Sequence, residues 1–121
     1  MKYALLLYAD EASWDGLDDE AQGEVMAQHG AATEAMQEAG AYVGGEALTP
    51  TSTARTLRVR DGKPLITDGP FVEAKEAFGG FYIVDCASMD EALDFAARLP
   101  EAGTGGVEVR ALIDFDAMEE G

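Results

Sequence analysis

His29 is the single histidine of the chain, and an imidazole is the side chain best suited to pass protons near neutral pH. It falls with Val25, Met26, Ala32, Met36 and Ala39 at helical spacing, on an apolar stripe that must face a sheet. Two readings are open for such a residue. It is a packed, pocket-lining ring, or it is a proton-transfer group, which needs a second titratable partner. A second concentration of chemistry lies at residues 67–82, TDGPFVEAKEAFGGFY. Asp68-Gly69-Pro70 is turn chemistry: Asp bonds nearby backbone, Gly frees φ and Pro fixes it. Glu73, Lys75 and Glu76 are too closely spaced to be core, and Lys75 is one of three lysines. Gly79-Gly80 allows tight backbone packing against a neighbour or a ligand. The stretch is read either as a long ordered loop folded over the sheet or as part of a site.

Other constellations carry less. Asp10-Glu11 follows the first strand and could meet Asp68 or Glu73 in space. One His and one Cys leave no His/Cys zinc set within a chain, and no resident metal or cofactor is expected. No phosphate loop and no dinucleotide fingerprint is present, since GGEALTP lacks the Lys and GTGG precedes a strand. Arg55, Arg58, Arg60 and Arg110 are scarce cations. They salt-bridge an acidic surface, or two or three on one sheet face hold an anionic ligand.

These residues need elements to hold them. KYALLLY (2–8) reads as a strand apolar on both faces. ADEASWDGL is a polar loop. Asp18, Asp19 and Glu20 open a helix that runs to about Ala39, with Gly40 as its C-terminal cap. AYVGGEAL is a strand whose Gly44-Gly45 signals a bulge or a close backbone approach. TARTLRVR-DGKP-LIT is a hairpin turning at Asp61-Gly62. FYIVDC is a strand, and SMDEALDFAARLP a helix with a Ser88–Glu91 capping box and a stop at Pro100. GTGG is a loop, VEVRALIDF the last strand, and the acidic tail from about residue 115 is frayed. The order β-α-β, hairpin, β-α-β predicts a single domain over 1–121, an α+β sandwich of ferredoxin-like type with an antiparallel sheet and helices on one face. The first strand is apolar on both sides, so the open face calls for a cover, and a second subunit supplies it.

Composition bounds the partners. Twenty-four acids against eight Lys and Arg give a formal net charge of −16. Such a chain repels phosphate backbones and anionic membranes, so neither nucleic acid nor membrane is an expected partner. The acidity fits solubility, growth in salt, or a surface that recruits a basic partner. No apolar run approaches the length that spans a bilayer. The opening MKYALLLYADE has a short apolar run followed at once by acids, and reads as a strand of a cytoplasmic protein.

TDGPFVEAKE followed by GGFYIVD resembles the DGPF-type members of the YCII-related family. The likeness begins at KYALLLYADE, passes through EAGAYVGGEALTP and TLRVRDGKPLITDGPF, and ends at PEAGTGGVEVRAL. The resemblance implies a small bacterial protein of the dimeric α+β barrel superfamily, in which two ferredoxin-like sheets pack face to face as a homodimer. Some wider relatives act on muconolactone or chlorinated lactones, and DGPF genes tend to sit beside extracytoplasmic-function sigma factors. In similar proteins a helix histidine stands eleven residues before the glycine that ends the helix, as His29 and Gly40 do. Similar proteins also carry an acid just before a proline at the end of the second helix, where Leu99 stands here. The expected site is a sheet–helix cleft that binds a small molecule, a lactone or other carboxylate, with His29 as the acid/base of lyase- or isomerase-like chemistry. Asp68, Gly69, Pro70, Phe71 and Lys75 are the expected ligand-binding residues. Asp68 would bond local backbone, and Phe71 would be directed into an apolar cleft shared with His29, with help from a partner chain. The alternative is a non-catalytic dimeric module that senses a ligand or serves a sigma-factor-linked partner.

Overall fold

Lys2–Asp10 form the first strand, β1, in the computed structural model, which describes residues 1–120. Tyr3, Leu5 and Leu7 point to one side and are buried, as alternation along a strand requires. A short helix α1 (Glu11–Asp15) follows at once, its first turn capped by the Asp10 carboxylate, which accepts from the Ala12 amide at 3.0 Å. The sequence reading gave this segment as loop. Five residues are too few to show helical periodicity, and the cap alone marks it.

Helix α2 (Asp19–Glu38) opens on Asp18, whose side chain accepts from Ala21 N at 2.8 Å. It ends at Gly40, which takes the left-handed φ of 70° that a terminating residue needs. Ala32 and Met36 face inward. Strand β2 (Tyr42–Ala47) leads to the hairpin β3 (Arg55–Arg60) and β4 (Lys63–Asp68). Asp61 and Gly62 turn that hairpin with φ of 53° and 74°, the two positive values of a type I′ turn. Strand β5 (Glu76–Asp85) is longer than the sequence suggests and takes in Glu76 to Gly80, so the irregular part of the DGPF stretch is residues 69–75 alone. Helix α3 (Met89–Ala96) carries the reciprocal cap: Glu91 N donates to Ser88 Oγ at 3.2 Å and Ala87 N to Glu91 Oε2 at 2.9 Å. After Pro100 a single turn, α4 (Glu101–Thr104), precedes strand β6 (Gly106–Ala111). The sequence reading carried this strand on to Phe115, but it stops at Ala111, and Ile113 is exposed. The segment expected to fray forms a final helix, α5 (Phe115–Glu120), with Asp114 accepting from Ala117 N at 3.1 Å; Gly121 lies outside the described residues.

Four strands form one antiparallel sheet in the order β2-β5-β1-β6, while β3 and β4 pair only with each other. That order, with helices on one face, is the ferredoxin-like α+β sandwich. Leu5, Met36 and Val84 are the fully buried centre, joined by Phe95 and Ala96 of α3 and by Leu99 just after it. On the opposite face, register sets Leu6 beside Phe81 and Ala4 beside Ile83. Tyr8 meets Phe78 there at 5.5 Å between ring centroids.

Candidate functional site

Three side chains from three elements meet between α2 and the sheet. His29 comes from α2, Tyr82 from β5, and Glu101 is the first residue of α4. His29 Nε2 lies 2.5 Å from Glu101 Oε1, and His29 Nδ1 lies 2.9 Å from the Tyr82 hydroxyl. The His29 and Glu101 side chains are only 18% and 15% exposed. A carboxylate can only accept, so Nε2 carries the shared proton, and in the neutral ring Nδ1 accepts from Tyr82 O–H. Burial, the largest effect, pushes the Tyr82 phenol up; the nearby Thr33 hydroxyl pulls it down, and the Glu101 charge pushes it up again. The phenol is therefore a proton donor at neutral pH. Thr33 Oγ1 also donates to the His29 carbonyl at 2.9 Å, which ties this turn of α2.

Glycines set the geometry. Gly45 of β2 lies opposite Tyr82 in the sheet register. A Cβ at Gly45 would stand 2.8 Å from Tyr82 Cδ1 and 2.9 Å from the Phe81 carbonyl oxygen, so the bare backbone admits the ring. The β2–β5 pairing slips between Tyr42 and Gly44, so the double glycine makes both a bulge and a close approach. Gly105 does the same for Glu101. A Cβ there would lie 2.0 Å from the Tyr8 carbonyl oxygen, so only glycine lets α4 come down on β1.

The triad lines a cleft of about 630 Å³ with Leu7, Trp14, Val25, Met26, Tyr42 and Phe81 among its other walls. This is the size and make-up of a small-molecule site. Because the Tyr82 pKa is raised, its phenol ionises later in the folded chain than in the unfolded one. The stability it adds is whole below about pH 10 and is lost as pH rises from there toward the folded value. Alkaline denaturation above pH 10 should thus be less steep in Tyr82→Phe than in wild type, read by circular dichroism.

The DGPF residues are placed differently from the expectation. Gly69, Pro70 and Phe71 line a second cavity of about 700 Å³, walled also by Tyr8, Val72 and Phe78. Leu48, Thr49 and Ala77 stand between the two cavities and face both. Within one chain, then, residues 69–75 do not line the His29 cleft, whereas Ala77, Gly79, Gly80 and Tyr82 of the same stretch do. Asp68 is 89% exposed and accepts from Arg55 Nε at 3.3 Å rather than from local backbone, because β4 continues through it and turns its side chain outward. Asp68→Ala should accordingly change stability by no more than about 0.5 kcal/mol in urea denaturation. Phe71 is 69% exposed, with the Arg58 guanidinium 4.8 Å above its ring. Lys75 is exposed and faces neither cavity. Asp10 and Glu11 meet neither Asp68 nor Glu73 by hydrogen bond. Glu11 accepts from Thr51 N at 2.9 Å and Thr51 Oγ1 at 3.1 Å.

A family model described as the YCII-related domain matches residues 1–116. The chain belongs to the YCII-related family. An uncharacterized protein of Rhizobium meliloti (strain 1021) is 45% identical to this YCII-related chain over 114 residues, covering 93% of it and 92% of the relative. Among solved structures, the fold is similar to that of a 5-chloro-2-hydroxyhydroquinone dehydrochlorinase from Burkholderia phenoliruptrix AC1100 in complex with 2,5-dihydroxybenzoquinone. That match has a TM-score of 0.51 at 18% identity and covers 93% of this chain and 94% of the other. The shared fold is the α+β sandwich described above, an antiparallel sheet with helices on one face.

Sequence reasoning singled out His29 and missed both of its partners. The acid sought before Pro100 stands directly after it, as Glu101. Tyr82 shares a strand face with Val84, and a tyrosine turned toward a core needs a partner for its hydroxyl. Its position opposite the one histidine-bearing helix was the available signal.

Proposed function

We propose that this YCII-related protein is a proton-transfer enzyme that acts on a small molecule in the cleft between α2 and the sheet. One observation carries the reading: Tyr82, His29 and Glu101 form a continuous hydrogen-bonded chain that ends in a sheltered cleft. In the forward step a C–H or O–H proton of the substrate passes to the Tyr82 oxygen as the Tyr82 proton moves to His29 Nδ1. The imidazole then carries a positive charge, which the adjacent Glu101 carboxylate stabilises. Return of the proton to another substrate atom completes an isomerisation. Alternatively the C–H electron pair becomes a new double bond and a leaving group departs with the pair of its own bond, which completes an elimination. The name of the fold neighbour, a dehydrochlorinase, denotes a step of the second kind.

The test is incorporation of solvent deuterium into a panel of lactones and hydroxylated aromatics, followed by proton NMR. Incorporation or turnover that depends on His29 and Tyr82 supports the reading. Compounds that bind in the cleft yet never exchange or react would leave the ligand-sensing role instead.

The reading includes a homodimer. The sheet face with Leu6, Phe81 and Ile83 has no helix over it, and Leu57, Val59, Leu65, Ile66 and Val72 of the hairpin and DGPF segment are exposed apolar residues near neighbours in sequence. In the dimer Gly69, Pro70 and Phe71 face the partner from the second cavity. A pairing of this kind buries about 2,000 Å² or more. Light scattering at low micromolar concentration should return twice the chain mass of 12.8 kDa, and a monomer mass would reject the dimer.

A further inference from the structure

The charge of the cleft wall is one-sided. Asp10, Glu11, Asp15, Glu46 and Glu101 all line it, and no Lys or Arg does so among the described residues. Two of these carboxylates are fixed at the end of β1. Asp10 is held by the Ala12 amide and Glu11 by both donors of Thr51, so their charges cannot swing away from an arriving anion. Asp15 and Glu46 are exposed on the rim. The arginines expected to receive an anion are elsewhere. Arg55 is on Asp68, Arg58 over Phe71, and Arg110 within 3.8 Å of Glu108. A second, independent feature lies at Glu101, which also lines the cleft. Glu101 Oε2 is buried and receives no hydrogen bond from any described protein group, while its twin oxygen is on His29. A sheltered carboxylate with one unpaired oxygen makes it costly to bring a second anion beside it. Trp14, Tyr42 and Tyr82 are among the lining residues, and aromatic rings favour cations and apolar bodies over anions.

We infer that the cleft takes an uncharged or cationic small molecule with an aromatic or alicyclic body, and that it turns carboxylates and phosphates away. The inference rests on the cleft being the site proposed above and names the substrate class of that site. It replaces the carboxylate expected from the sequence. The acids are not themselves the site. They set which charge can approach a cavity lined by the hydrogen-bonded triad.

The test is a set of three probes that share one skeleton: 2-(4-hydroxyphenyl)ethanol, tyramine and 4-hydroxyphenylacetate. Dissociation constants come from isothermal titration at low salt, and the His29 ring signals report where each probe binds. The alcohol and the amine should shift those signals, and the carboxylate should bind about tenfold more weakly than the alcohol, the size of one unit-charge repulsion across a partly screened cleft. One molar salt should shrink that gap. The double variant Asp15→Lys, Glu46→Lys alters only exposed rim residues and should narrow or invert it. Carboxylate binding as tight as alcohol binding overturns the inference. So does a gap that the rim variant leaves unchanged, or the absence of any His29 shift with all three probes. The two proposals fail separately. A carboxylate that binds and exchanges its protons overturns the charge rule and leaves proton transfer standing. The expected charge order with no proton exchange in any bound compound does the reverse.

Discussion

His29→Gln should lower the rate of deuterium incorporation into a compound processed in the cleft by about 100- to 10,000-fold, the usual contribution of a positioned acid/base. Glutamine keeps the approximate length and a polar end but cannot hold the transferred proton. The loss should fall on kcat, because the ring is one of many walls and the apolar body of the ligand meets Val25, Met26 and Tyr42 as before. Tyr82→Phe should give a loss of similar direction, since in the proposed relay the phenol, hydrogen-bonded to the imidazole, hands on the proton. If the His29 and Tyr82 variants lose activity together and the double variant loses little more, the two act as one relay. Rates within twofold of wild type in His29→Gln would reduce the ring to a packing role.

The largest effect on stability is expected at Gly105. In Gly105→Ala the new methyl would lie 2.0 Å from the Tyr8 carbonyl oxygen and 3.0 Å from Ala9 Cα. Both are backbone atoms of β1, so no side chain can turn aside to make room. Either the α4 turn lifts off the strand or the β1–β6 pairing opens at Tyr8 and Gly106. Overpacking of this severity costs about 1–3 kcal/mol or more. Urea denaturation measures it as a lower midpoint at an unchanged slope. The same displacement carries Glu101 away from His29, so activity should fall even at temperatures where the variant is fully folded. A midpoint equal to wild type would mean that the α4–β1 contact is not formed as described.

The parts of the fold legible in the sequence are those governed by short-range chemistry. Asp18 and Gly40 mark the ends of α2, Ser88 and Glu91 mark the start of α3, and Asp61-Gly62 marks the hairpin, because caps and turns are decided within four or five residues. The two-sided β1 was legible from alternation alone, and it pointed to a sheet with one uncovered face. The short helices α1 and α4 were not. Each is barely a turn or more, and each forms because chain on both sides is already anchored. The site was half legible for the same reason. His29 announces itself by being the sole histidine on an apolar stripe. Its partners lie 53 and 72 positions away along the chain, and only the sheet register and the seat of α4 on β1 bring them near. The DGPF stretch showed the converse. Gly69 takes the positive φ that its type allows, but Asp68 is a strand residue on Arg55, and where the segment points depends on β4 extending through Asp68 and on β5 beginning at Glu76.

The strand order β2-β5-β1-β6 also sets a timetable for folding. Strand β1 precedes both of its neighbours in the chain by a wide margin, since β5 spans residues 76–85 and β6 residues 106–111. While the chain is being made, the most apolar strand has nothing to pair with, and α2 and β2 emerge before either of its partner strands. Closing such distant contacts is slow, and a chain with an unpaired apolar strand is exposed to aggregation in the interval. The acids that follow β1 at once, together with the net negative charge, keep nascent copies apart during that wait. The triad inherits the same schedule. Glu101 enters only with the turn that leads into the final strand, so the hydrogen-bonded triad assembles at the last act of closure rather than growing up with the helix that carries its histidine.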